Sequence, residues 1–331
     1  MSITKSIARK LVFPAVITLV LEKLLSAFST HKRLILCYHG CVPEPDYALN
    51  GRHIPTKQFE QHLIYIKKNF NVVTLNEMFR LYRENIIPDK KTISLTFDDG
   101  YLNNQTRVLP LLEKYNIPAT FFIVSSALID ADYIPWPDIL DILKTYSTTT
   151  SLELGGVVFI KEDKIGFFSK QLRISASDYI KKMGKERNSI IQQLMVKYDF
   201  EKAIQKTDIE NYKLMNAEQL KVFSKSKLVD IGSHSHSHYN LGNISESLVK
   251  DELIRSKKII EETIGKEVNT IAYPDGNYGY NVKKVSIEAG YKNLIAVKYQ
   301  CKDDLSDKAI LPRLTISNTT TFESNMIQIQ M

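Results

Sequence analysis

Short apolar runs alternate with amphipathic helical patterns along this chain, and that alternation constrains its fold more than any other feature. The apolar runs fall at 34–38, 71–75, 92–97, 119–124, 228–232, 268–273, 294–299 and 310–316. Between them a helical pattern opens at Thr56, with Phe59, Leu63 and Ile66 on one face, and others cover 76–85, 104–115, 217–225 and 245–264. In the last of these, Val249, Leu253, Ile260 and Ile264 form the apolar stripe. A further helix ends at Gly290, where a left-handed cap is wanted. Repeated β–α units imply a parallel sheet with crossover helices, either open or closed into a barrel. In both forms functional groups belong at the carboxyl ends of the strands. Asp98-Asp99, His234 to His238, Tyr273 to Gly276 and His39 all fall at such ends.

Residues 126–216 break the rhythm. They hold the sole tryptophan, Trp136, a polar run at 145–151, a hairpin pattern at 152–160 and a helical pattern at 177–198. The stretch 127–215 reads as an α-rich insertion in a domain spanning 31–318, serving as a lid or substrate wall. Residues 1–30 and a tail at 319–331 stand outside that domain.

Composition narrows the class. With 331 residues, 44% hydrophobic content, 17 Tyr and 14 Phe, the chain can bury a sizeable core. The net charge of +7 is carried mostly by dispersed lysine, which is a solvated surface rather than a nucleic-acid stripe. Cys37, Cys41 and Cys301 give no disulfide framework, and an odd count fits a reducing compartment. Cys37-x-His39-x-Cys41 lacks the second pair that would complete a zinc site, so these read as buried, inert thiols.

Near the N-terminus, Lys5, Arg9 and Lys10 precede an apolar run at 11–21 that Glu22 and Lys23 interrupt. Spanning a bilayer takes about 20 residues, so the run is too short. It has the basic start of a signal peptide, yet the charges closing it argue against export. An interfacial helix making peripheral membrane contact, or a helix packed on the domain, fits equally well. A cytoplasmic or membrane-associated location is favoured over a secreted one.

Two motifs carry the chemistry. In Thr96-Phe97-Asp98-Asp99-Gly100 the glycine lets the backbone turn, so that adjacent carboxylates can enter one pocket. Their roles must differ, because a carboxylate bound to a cation stays ionised and makes a poor base. In Gly232-Ser-His-Ser-His-Ser-His238, the imidazoles of His234, His236 and His238 share one face if extended, so alternation leaves open which of them ligate. Two imidazoles and one carboxylate leave open positions on zinc or a similar ion.

Thr-Phe-Asp-Asp-Gly-Tyr101, a helix, and Ile117-Pro-Ala-Thr-Phe-Phe-Ile123 together resemble the first motif of the polysaccharide deacetylases, the carbohydrate esterase family 4 or NodB-homology domains. Gly-Ser-His-Ser-His-Ser-His-x-x-Leu241 resembles their second motif. The resemblance covers about 31–126 and 216–316. It implies a distorted (β/α) barrel of about seven parallel strands and metal-dependent removal of N-acetyl groups from sugars of a poly- or oligosaccharide, as in envelope or exopolysaccharide modification. It makes Asp98 the general base and Asp99, His234 and His238 the ligands of a divalent metal, with Zn2+ the default. His236 falls at a variable position, expected at the rim.

The chain departs from the family at two motifs. Ala272 stands where the third motif has an arginine that orients the base, and Arg313 is the candidate replacement. The Asp275 backbone N–H falls where the family donates to the oxyanion. No histidine follows His238, so the usual C-terminal acid is missing. The start Cys37-Tyr38-His39-Gly40 resembles a subgroup, the biofilm exopolysaccharide deacetylases, with His39 as the acid from a permuted barrel. Competing readings are a non-haem iron oxygenase, in which Asp98 has no clear role, and a catalytically degenerate sugar-binding module.

Overall fold

The structure, a computed structural model, describes residues 32–46, 49, 51–162, 166–316, 318, 324–326 and 329. Residues 1–30 and most of 319–331 therefore lie outside the described residues. Eight parallel strands make the central sheet: β1 (Arg33–Tyr38), β2 (Thr92–Phe97), β3 (Ala119–Ile123), β4 (Val229–Ser233), β5 (Thr270–Ala272), β6 (Asn293–Ala296), β7 (Ile310–Pro312) and β8 (Leu314–Thr315). Their order is β7-β6-β5-β4-β3-β2-β1-β8, with a short strand at Asn71–Val72 added beside β2.

The last two strands explain how the sheet curls back on itself. β7 pairs with β6, placing Ile310 beside Leu294, while β8 pairs with β1, placing Leu314 beside Leu36. Only Arg313 separates them, so the stretch predicted as one strand at 310–316 ties both edges into a nearly closed barrel of seven staves. The backbone agrees: Arg313 N–H donates to the Ala296 carbonyl at 3.0 Å, and Ile316 N–H donates to that of Cys37 at 2.8 Å.

Strands covered on both faces need apolar side chains on both, and all six residues of β2 are buried. Outside the barrel, Leu95 and Phe97 share a core with Phe59, Leu63 and Ile66 of the helix Thr56–Asn69. Ile35, Phe122, Ala272, Ile295 and Leu311 come from five different strands and form a second cluster, with Leu75, Met78 and Phe79 from the helix Leu75–Arg83. Phe122 fills its space so fully that a Cβ on Gly232 would meet its ring at 2.5 Å. The helix Glu246–Ile264 starts on the Ser245 hydroxyl, which accepts from Leu248 N–H, and Gly265 ends it in the left-handed region. Gly290 does take a positive φ, 89°, just past the helix Tyr280–Glu288.

The insertion is α-rich, as expected, and adds a small sheet that the sequence did not show in full. It carries a four-stranded antiparallel sheet, Ser151–Leu154, Val157–Glu162, Gly166–Ser169 and Ile174–Ser175, beside its helices. The hairpin predicted at 152–160 forms one end of this sheet. The helical pattern at 177–198 divides into Ala176–Ile180 and Arg187–Lys197, with Gly184 in the break. A separate core of Trp136, Ile139, Leu143, Phe159, Ile180 and Leu194 holds the insertion together. No helix among the described residues is long and apolar enough to cross a membrane.

Two buried histidines make stability depend on pH. His62, on the helix Thr56–Asn69, and His53, whose Nε2 lies 2.9 Å from the Asn211 carbonyl, are pushed by burial to about 4 and about 3. Below the ordinary value of 6.5 the unfolded chain binds protons that the folded chain refuses, so stability falls as pH drops from there toward the folded values. At pH 5 each histidine costs about 2 kcal/mol relative to pH 7. His62→Gln is expected to shrink the drop in Tm between pH 7 and pH 5 by several degrees. An unchanged drop rules His62 out as a source.

Candidate active site

A cavity of about 270 Å³ opens at the carboxyl ends of the barrel strands and gathers nearly every residue the sequence singled out. His39 follows β1, Asp98 and Asp99 follow β2, and His234 and His238 follow β4. Tyr273 and Asp275 follow β5, and Arg313 joins β7 to β8. Asp99, Gly100, Ser235, His238 and Asp275 all have positive φ, between 54° and 81°. Left-handed backbone at non-glycine positions is costly and gathers at functional sites. Here it redirects consecutive side chains that regular strands would send to opposite faces.

Asp98 and Arg313 form a forked ion pair, Nη1 to Oδ1 at 2.7 Å and Nη2 to Oδ2 at 2.5 Å. Nη1 also donates to Thr96 Oγ1 at 3.2 Å. Burial, the largest influence, works against ionisation of Asp98, but Arg313, His234 and His39 together outweigh it, and the carboxyl is held below its ordinary range. Arg313 thus reaches Asp98 from the junction of β7 and β8, while Ala272 offers no polar side chain. Cys37 adds a contact that the reading of inert thiols missed: its Sγ donates to Asp98 Oδ2 at 3.4 Å, and burial keeps the thiol protonated. Period-two spacing from Cys37 to His39 was the available signal. Cys41 is buried as expected, whereas Cys301 is only half-buried.

Asp99 Oδ1 lies 3.6 Å from His234 Nε2 and 3.4 Å from His238 Nε2. This oxygen is buried and has no hydrogen-bond partner. Burial opposes its charge, yet His238, His39 and His234 hold the carboxyl far below the ordinary range. His234 donates from Nδ1 to the Ala272 carbonyl at 2.8 Å, which leaves the Nε2 lone pair free. One carboxylate oxygen and two imidazole nitrogens, all within 4.8 Å of one another, form a donor set suited to a divalent cation such as zinc.

His236 does not line this cavity. The positive φ at Ser235 and His238 breaks the alternation, and the His236 ring turns away so that Nδ1 lies 2.8 Å from Ser125 Oγ. A second group, Cys301, Asp303 and Asp304, has metal-like spacing. Lys283 already occupies it, with Nζ 3.2 Å from Asp303 and 2.7 Å from Asp304.

His39 borders the cavity, where burial pushes its pKa down and the Asp99 and Asp98 carboxylates oppose that push. Asp275 is tied by Lys181 Nζ at 2.9 Å and by Asn240 Nδ2 at 3.4 Å. Two residues that the sequence did not flag also reach the cavity, Arg52 and Lys181, beside Tyr101 of the first motif, which sits in a buried network. The Tyr101 hydroxyl donates to Asp138 Oδ2 at 2.8 Å, and Arg52 pairs with Asp138 and Asp141. Trp136 lines the wall, 4% exposed, so the insertion does border the site.

Comparison with known proteins places this geometry. The family model for polysaccharide deacetylase matches residues 85–149 and 167–294. A candidate polysaccharide deacetylase, YxkH of Bacillus subtilis strain 168, is 30% identical over 95 residues, 28% of this chain and 32% of that protein. The chain therefore spans about a third of that curated relative's length. Among solved structures, the Streptococcus pyogenes deacetylase PplD in complex with acetate superposes with a TM-score of 0.58 at 16% identity, over 90% of this chain and 97% of that one. IcaB from Ammonifex degensii gives 0.56 at 18% identity, over 90% and 96%. These two are likenesses of fold.

Proposed function

This chain belongs to the polysaccharide deacetylase family, and from that premise we propose that it removes N-acetyl groups from N-acetylated sugars of a poly- or oligosaccharide, with a divalent metal. One observation carries the metal-dependent part. An unligated carboxylate, Asp98, sits next to a carboxylate oxygen of Asp99 that has no hydrogen bond and lies between two imidazoles. A binding module has no use for a buried, oriented base beside such a donor set.

Asp99, His234 and His238 would hold the ion. Zinc at that place supplies Lewis acidity toward the amide carbonyl and toward water. Asp98, kept ionised and aimed by Arg313, takes a proton from the attacking water. The Asp275 N–H donates to the oxyanion that forms as water adds to the acyl carbon. His39, on the other side of the barrel seam, gives a proton to the departing nitrogen as the C–N bond breaks. Acetate and a sugar with a free amine result. Three free thiols support a cytoplasmic or membrane-associated setting over a secreted one, with envelope or exopolysaccharide modification as the process served.

Acetate release from N-acetylglucosamine oligomers tests the reading. Release is expected with zinc, is expected to stop with chelator, and should return on adding the metal back. Release that persists in chelator defeats the metal-dependent reading. Oligosaccharide binding with no turnover under any condition favours the degenerate sugar-binding module instead.

A further inference from the structure

The two candidate imidazole ligands are held differently. His234 has the usual support, its second ring nitrogen fixed on the Ala272 carbonyl. The second ring nitrogen of His238, Nδ1, is buried and has no hydrogen-bond partner. His238 also sits in left-handed backbone, φ 54°. Its ring must therefore be aimed through its backbone.

The loop's carbonyls show what does the aiming. The Ser235 carbonyl accepts from Ser125 N–H and the Ser256 hydroxyl, and that of His236 accepts from Ser126. On the donor side, Glu252 takes the N–H groups of His236 at 3.0 Å and Ser237 at 2.7 Å. All of these partners belong to the barrel or its edge. The next two carbonyls are served from the insertion: Arg187 donates from Nη2 to Ser237 at 2.5 Å and from Nη1 to His238 at 2.9 Å. Its guanidinium carbon lies over the Tyr239 ring, 3.5 Å from the centroid, and the residue is 2% exposed. Among the described residues Arg187 makes no ion pair; besides the Asn188 side chain, which accepts at 3.1 and 3.3 Å, its buried charge is spent on these two backbone carbonyls. Burying a guanidinium without a carboxylate is expensive unless its hydrogen bonds fix something that matters.

We propose that Arg187, reaching in from the insertion, is a positioning residue for the metal site, fixing the peptide of His238 so that its Nε2 faces Asp99. The insertion then does more than wall the cavity: one of its side chains sets the geometry of a ligand on the barrel. The proposal rests on the metal-site reading above.

The test is zinc affinity of the full chain by chelator competition, for the wild type, His238→Ala, Arg187→Ala and Arg187→Lys, with Tm of each metal-free protein. Replacing a group that supports a ligand typically costs about 10- to 100-fold in metal affinity. Arg187→Ala is expected to bind zinc at least about tenfold more weakly. Arg187→Lys keeps the charge without the fork, and should fall between Arg187→Ala and wild type. Cobalt(II) at saturation reads the geometry separately, and its visible bands should shift in both Arg187 variants. If Arg187→Ala does not fold, Arg187→Lys carries the test alone. Wild-type zinc affinity and an unchanged cobalt spectrum in a folded Arg187 variant overturn the proposal, even if Tm falls, because that is a purely structural role. If the wild type binds no zinc, or His238→Ala binds it as well as the wild type, the metal-site reading itself fails and the proposal falls with it.

Discussion

Asp98→Asn is expected to lower acetate release on the order of 10³-fold while zinc binding is retained. The side chain keeps its size and its place after β2, and it keeps one oxygen to accept from Arg313. What it loses is the capacity to take a proton from water. Asp98 is not one of the three atoms grouped for the metal, its nearest oxygen lying 3.8 Å from His234 Nε2. Metal affinity should therefore stay near that of the wild type, whereas Asp99→Asn, which alters the grouped carboxylate, should weaken it. The pair of variants separates the two neighbours by role: one loses turnover alone, the other loses metal and turnover together. Equal loss of zinc in both would mean that Asp98 is a ligand and that the base lies elsewhere.

How much of this the sequence showed depends on the range of the interactions involved. Barrel strands are short, apolar and doubly covered, so β2 was readable to the residue, and the helix Glu246–Ile264 was readable from its stripe and its Ser245 cap. Motif spacing brought Asp98, Asp99, His234 and His238 into one cavity. The choice among the three histidines was not readable from alternation, because left-handed residues at Ser235 and His238 override the period of two. The insertion sheet was missed beyond its hairpin, since its edge strand Ile174–Ser175 is two residues long and only half-buried. Arg187 and Glu252 carry no local signal: each is a charge on a helix, and the loop groups they hold lie 50 to 51 and 15 to 16 positions away. Arg313 is intermediate. Its position on a late strand raised it as a candidate, but only the seam between β7 and β8 shows why that strand reaches Asp98.

That seam gives the second large expected effect. Arg313→Met leaves the Asp98 carboxylate buried, with its forked partner gone and a thiol as its weak donor. Breaking a buried pair by removing one partner costs about 3–5 kcal/mol, more than replacing both partners would. Turnover should fall on the order of 10²-fold as well, since an unaimed base is a poor one. Arg313→Lys separates the two losses. A lysine ammonium restores countercharge but not the fork. It should recover most of the unfolding free energy in urea while turnover stays well below wild type. The peptide of residue 313 keeps its N–H to the Ala296 carbonyl in every variant, so the seam itself is not cut. Wild-type turnover in Arg313→Met would show that Asp98 needs no orienting cation, and the substitution at Ala272 would then be a loss without replacement. Turnover and stability recovering together in Arg313→Lys would reduce the role of Arg313 to charge balance.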